Sequence, residues 1–229
     1  MRKYRYAALA AAGVMVLATP AGAALASTHK SAPKPVLTVS KLTGAAVKKG
    51  AKISAGLAKG QKVHLAIGGF GSTCTKSTFT AKVVKNPASA GRATLSITNQ
   101  TLSGCKLSTT LASLKSITAI NTPWNGSITT KNVLRITGSK KSKPVGVKAV
   151  ILLGTSPFTC VFTATSTTGK TSNKGNTVTF KNQNLTLNAS LSGASYSTCK
   201  IAGTKASFSA VYGPVRDISV KHHPRVFVR

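Results

Sequence analysis

The sequence predicts an all-β protein, an antiparallel β-sandwich or partly open barrel built from two similar halves, and three observations carry that expectation. Nearly every apolar stretch alternates with period two instead of 3.6, the mark of half-buried strands. Residues 94–102, TLSITNQTL, and 177–185, TVTFKNQNL, then spell almost the same strand, each breaking at Asn-Gln as a strand entering a turn would. Asn99 and Asn182 stand 83 residues apart, too far for a solenoid repeat but suited to a duplicated β unit. Finally, each copy is bracketed by two cysteines, Cys74 and Cys105 around the first, Cys160 and Cys199 around the second.

Composition allows such a chain to fold. Of 229 residues 41% are hydrophobic, enough for a core, while only 5% are aromatic, so that core must be mostly Val, Ile, Leu and Ala. Charge is the unusual property: 32 Lys plus Arg against one acidic residue, Asp217, give a formal net charge of +31. About a quarter of an ordinary domain is charged, with both signs mixed; here 14% is, almost all positive.

In chain order, Arg2, Lys3 and Arg5 precede an apolar run over 7–18, followed by small residues that allow cleavage after Ala23 or Ala26. That order predicts a secretory signal peptide over 1–26. A dozen apolar residues fall short of the roughly 20 that cross a bilayer, so no transmembrane span is expected after its removal. Residues 27–35 read as a flexible leader. Four cysteines in an exported chain imply two disulfides with three possible pairings, and the repeat selects Cys74–Cys105 and Cys160–Cys199. Zinc ligands come as close pairs; no cysteine here has a second within four residues, so neither metal nor cofactor is expected.

The first half spans 36–122. Strands are expected at 36–42, 62–67 and 78–84, with Asn86-Pro87 as a turn and 44–60 as loop or strand edge. Leu107, Leu111, Leu114 and Ile117 recur at helical spacing and predict one short helix near 107–118. Residues 121–126, with Asn125-Gly126, form the turn between halves. The second half spans 123–217: the basic loop 139–143, a run over 145–153 apolar on both faces, alternation over 158–164, a turn at 173–176, further alternation from Leu185 to Leu191, and a closing strand at 206–212. Residues 218–229 read as a solvated basic tail.

Several of these features are shared with a known group. The export signal, Ser-x-Cys-x-x-x-x-Phe-Thr at 72–80, Asn86-Pro87-Ala88, the Asn-Gln strand ends, Thr122-Pro123-Trp124 and the ending at 208–217 resemble small exported actinobacterial proteins of unknown function. The resemblance implies a Gram-positive exported protein with two intradomain disulfides. It brings no catalytic or binding residue, and the lysine excess and basic tail depart from it.

Most enzyme chemistries lack their groups here. Paired-carboxylate hydrolysis and carboxylate calcium sites need more than Asp217. A Ser/His hydrolase would have to draw on His64 or His222 with Asp217, without a Gly-x-Ser-x-Gly elbow, and no enzyme is expected. His64 reads as solvent-side, Trp124 as a packing residue, Asp217 as tied to a cation or to turn amides, and His222-His223 as part of the tail. What remains is the field of the cations, unbalanced by acids. The expected partners are anionic cell-wall polymers or glycans, met through Lys140, Lys141, Lys143, Lys221 and Arg225. Few aromatics accompany these residues, so specific nucleic-acid recognition is not expected. The expectation is a secreted, envelope-associated, non-enzymatic protein; the alternatives are a cationic secreted effector and the weak hydrolase.

Overall fold

The structure is a computed structural model that describes residues 33–67, 69–140 and 143–229; the expected signal peptide over 1–26, residues 27–32 of the expected leader, and Lys141 lie outside the described residues. It is 63% strand and 7% helix. In chain order the strands are β1 (Leu37–Val39), β2 (Lys52–Gly56), β3 (Val63–Ile67), β4 (Phe70–Ser89), β5 (Arg92–Leu107), β6 (Ala112–Ile120), β7 (Trp124–Thr129) and β8 (Val133–Thr137). There follow β9 (Val145–Leu153), β10 (Ser156–Ala164), β11 (Ser166–Ser172), β12 (Thr177–Leu187), a helical segment over 189–202, β13 (Lys205–Tyr212), β14 (Arg216–Asp217) and β15 (Val226–Val228).

Eight of these strands close a ring. Hydrogen bonding runs β3, β4, β5, β7, β8, β11, β12, β13 and back to β3, every pair antiparallel, so the partly open alternative resolves into a closed barrel. An eight-stranded barrel has an interior just wide enough for side chains to fill. Phe79, Phe180, Phe208 and Tyr212 fill its middle with ring centroids 5.8–6.1 Å apart, and Val63, Leu65, Ala81, Val83, Leu95, Ile97, Leu134 and Ile136 complete the lining. β2 and β3 succeed one another along the same side of β4, and β2 also pairs with β14.

The duplicated segments occupy matching places in this ring, though not as strand ends. In β5, Ile97 pairs with Ala81 and Asn99 with Thr80, leaving one extra residue; in β12, Phe180 pairs with Ala210 and Gln183 with Phe208, again leaving one extra. Each Asn-Gln therefore marks a β-bulge inside a continuous strand, and not the turn its sequence suggested. The bulge flips which parity faces inward: Ile97 is followed inward by Gln100, and Phe180 by Leu185, while the Gln183 side chain accepts the Thr168 amide. It is also where each strand changes neighbour. Before it β5 pairs with β7 and β12 with β11; beyond it β5 runs beside β6 and β12 pairs with β10. Strands β10, β9 and β6 thus leave the barrel at β12 and return toward β5.

The two halves of the chain share one core. The boundary at 122–123 runs through the barrel, because β5 pairs with β7, β6 with β9, and β3 with β13.

The helix expected over 107–118 is strand, the end of β5 followed by β6. A register shift between Leu114 and Ser116 puts Ala112, Leu114, Ile117 and Ala119 on one face, and a bulged strand then imitates helical spacing. Leu111, the second residue of the supposed stripe, is 76% exposed. The helix lies instead where strand alternation was expected to continue past Leu187. Asn188 caps it by accepting from the Leu191 amide, and Ser192 and Ser195 accept the Val161 and Thr159 amides of β10 at 3.1 Å. That helical segment covers the stretch of β10's edge, opposite β9, that β12 leaves unpaired before Phe162, a common way to protect a strand edge.

The stretch 44–60, expected as loop or strand edge, contains β2, and Asn86-Pro87 lies inside β4, whose turn comes at Gly91 with φ +69°. Asn86 works through its side chain: Oδ1 accepts the Val36 and Leu37 amides at 2.9 Å, and Nδ2 donates to the Leu37 and Val47 carbonyls. Residues 218–229 are no free tail. They fold back so that β15 pairs with β1, and Asn173 and Asn176 hold Val228 and Val226 through side-chain hydrogen bonds. The β1–β15 ribbon is a lid, with Leu37 and Val226 bordering an apolar space inside the barrel mouth.

Candidate polyanion-binding surface

The four cysteines pair as the repeat required, Cys74–Cys105 and Cys160–Cys199, and their presence fits an oxidising, extracellular setting. The two bridges join different kinds of element. Cys74 and Cys105 face each other across β4 and β5, whereas Cys199 ties the helical segment to β10.

The single acidic side chain cannot balance the surface cations. Asp217 is 4% exposed and its Oδ1 accepts the Ser219 amide at 2.9 Å, the turn-amide role expected of it. Elsewhere like charges meet: Lys52 and Lys82, both exposed, are register partners across β2 and β4. Such a pair is unfavourable unless an anion lies over it. His64 is exposed on β3 between Ser209 and Thr73, and the carboxylate of Asp217 is on β14 beside Ile53, so the fold does not assemble a triad from them. Trp124 is buried and its indole Nε1 donates to the Ile120 carbonyl at 2.8 Å, a packing residue anchored at a turn.

The basic residues singled out in the sequence do not form one patch. Lys140 and Lys143 close a turn beyond the C-terminal end of β8, with the Lys143 amide donating to the Lys140 carbonyl. Lys221 and Arg225 are exposed in the loop that leads into the lid strand β15. His222 and His223, exposed in the same loop, have φ of +67° and +43°.

Two concave stretches of the outer wall gather polar groups more tightly. In one, Ser209, His64, Thr73 and Lys106 form a cross-strand row over β13, β3, β4 and β5, extended by Asn182, which is hydrogen-bonded to Ser209. In the other, Arg92 and Arg135 border a depression with Thr94, Asn125, Ser127 and Thr137. Sequence reading passed over both arginines because 43 residues separate them. Their scarcity in a lysine-dominated chain was the available signal.

Tyr212 is the group whose ionisation the fold changes most clearly. Burial pushes its phenol above the ordinary 10.0, outweighing the lowering effect of hydrogen bonds with Ser77 and Gln100, both at 2.8 Å. A phenol raised on folding contributes stability that is whole below its unfolded value near pH 10 and is lost as pH climbs through the folded value. Tyr212→Phe should cost about 1–3 kcal/mol at pH 8, since Gln100 and Ser77 lose a buried partner, and the gap to wild type should narrow by pH 11. Urea midpoints at the two pH values check this; an equal gap at both would contradict it.

Comparison with protein-family models, with curated proteins and with solved structures gave no match.

Proposed function

We propose that this chain is an exported, non-enzymatic barrel protein held at the cell envelope by anionic wall polymers or glycans. The observation that carries the reading is the unbalanced charge, +31 with its one acidic side chain buried and occupied by a backbone amide. A barrel surface set with Lys and Arg and lacking carboxylates produces a positive potential over its whole circumference, which concentrates polyanions without requiring a reactive group. Lysine, the commoner cation, supplies diffuse point-charge attraction. The cystines and the β1–β15 lid keep such a surface folded outside the cell.

Purified protein lacking residues 1–26 is expected to bind isolated wall polymer at low salt, with affinity falling about 1,000-fold or more between about 50 and about 200 mM NaCl, as counterion release from several neutralised phosphates requires. Affinity independent of salt would contradict the reading. A cationic effector would instead inhibit growth of other bacteria at low salt.

A further inference from the structure

Beneath that diffuse attraction we infer a discrete site: the groove between Arg92 and Arg135 binds the phosphate group of a polyol-phosphate chain. The inference rests on the proposed function for the identity of the polymer, and on its own geometry for the site.

Three strands build the groove. Arg135 on β8 is the register partner of Ser127 on β7, and Ser127 is the partner of Thr94 on β5. Arg92 stands two residues before Thr94 on the same strand and so on the same face. Thr137 and Asn125 continue this surface one step along as another register pair. The arrangement puts two guanidinium groups around hydroxyl and amide donors in a depression of the outer wall. A guanidinium presents its N–H groups as a planar fork that matches two oxygens of a phosphate, which a lysine ammonium cannot do. Hydroxyls from Thr94 and Ser127 suit the remaining oxygens. Lys85, exposed on β4 and paired in register with Thr94, adds positive charge at the margin.

The groove's lining also selects the kind of chain. It contains no aromatic ring on which a base could stack, whereas single-stranded nucleic-acid sites depend on such stacking. A flexible backbone of alcohol and phosphate units needs only the fork and the hydroxyl donors.

Substitution of arginine by lysine separates the fork from the charge. Arg92→Lys/Arg135→Lys keeps the net charge and alters only exposed side chains, so its melting curve should match wild type. Binding to poly(glycerol phosphate) is measured by calorimetry at about 0.15 M salt, where screening limits interactions beyond about 8 Å. The double variant should bind about ten-fold or more weakly, as should Thr94→Val/Ser127→Ala, which leaves every charge in place. Lys140→Gln/Lys143→Gln, with two fewer charges outside the groove, should stay within about two-fold of wild type at this salt. Equal binding by wild type and the double-lysine variant would overturn the site and leave diffuse retention standing. If wild type failed to bind the polymer even at about 20 mM salt, both would fall. A single-stranded oligonucleotide of equal charge binding as tightly as the polymer would overturn the choice of ligand.

Discussion

Reducing both cystines is expected to lower the stability of this protein by roughly 8 kcal/mol, the largest effect of any single treatment. The cross-linked residues are 31 and 39 apart in sequence, and loop closure of that length restricts the unfolded chain by about 4 kcal/mol each in the chain-entropy model. Domains are commonly stable by only about 5–15 kcal/mol, so reduction should bring the melting temperature down by on the order of 20 °C. The two bridges should fail differently. Cys74 and Cys105 lie directly opposite in a strand pair already held by a long ladder, and their loss should leave native-state exchange of β4 and β5 amides largely protected. Cys160 and Cys199 anchor a helical segment that is serine-rich and short. With Cys160→Ser/Cys199→Ser, amides over 189–202 should exchange first while β9 and β10 stay paired. Unchanged protection of that segment would mean the serine contacts and packing hold it without the bridge.

Phe180→Ala is expected to cost about 3–5 kcal/mol, the usual range for removing a buried ring. Phe180 packs against three others, with centroids 6.1 Å from Phe79, 5.9 Å from Phe208 and 6.1 Å from Tyr212. Across the barrel seam its register partner is Gly169, where an added Cβ would come within 2.9 Å of the Phe180 ring. Gly169→Ala alone should therefore cost about 1–3 kcal/mol by overpacking. The two changes should not add: with the ring gone, the methyl introduced by Gly169→Ala keeps only its close approach to Val178 Cγ1 at 3.0 Å, and the double variant should be clearly more stable than the sum of the two single costs implies. Chemical denaturation of the four proteins measures this coupling. Strict additivity would mean that the seam relaxes around the methyl and the ring does not set the closure.

A good part of this fold could be read from single residues. The alternation in 62–67, 78–84, 158–164 and 206–212 was strand as expected, and the repeated TLSITNQTL and TVTFKNQNL do occupy equivalent positions. The misreadings have one physical source. A bulge inserts one residue and shifts the inward parity, so at Asn99 and Asn182 it looked like a turn, and between Leu114 and Ser116 it looked like a helix. The real helix was hidden for the opposite reason. Ser190, Ser192, Gly193 and Ser195 have little intrinsic preference for helix, and what stabilises the segment is a cystine and two amides of a strand about 30 residues earlier. Asn86, Asn173 and Asn176 were legible only as turn residues; their side chains bind lid strands about 50 residues away, which no local pattern records.

For the surface the division is similar. That the chain would be strongly cationic was countable, and Asp217 as a lone turn residue followed from its isolation. The basic clusters at 140–143 and 221–225 were visible because they are contiguous, but the fold leaves them as separate loops. Arg92, Thr94, Ser127 and Arg135 are scattered along the chain and meet only through the registers of β5, β7 and β8.

The β class, the cystine pairs and a charge without counterweight follow from the residues alone, because alternation, repeat spacing and composition are properties of neighbours or of counts. Where each long strand exchanges one neighbour for another, how the ring closes at β11 and β12, and which cations face the same groove emerge in the folded protein. Those depend on hydrogen bonds between residues far apart, and a single inserted residue is enough to redirect them.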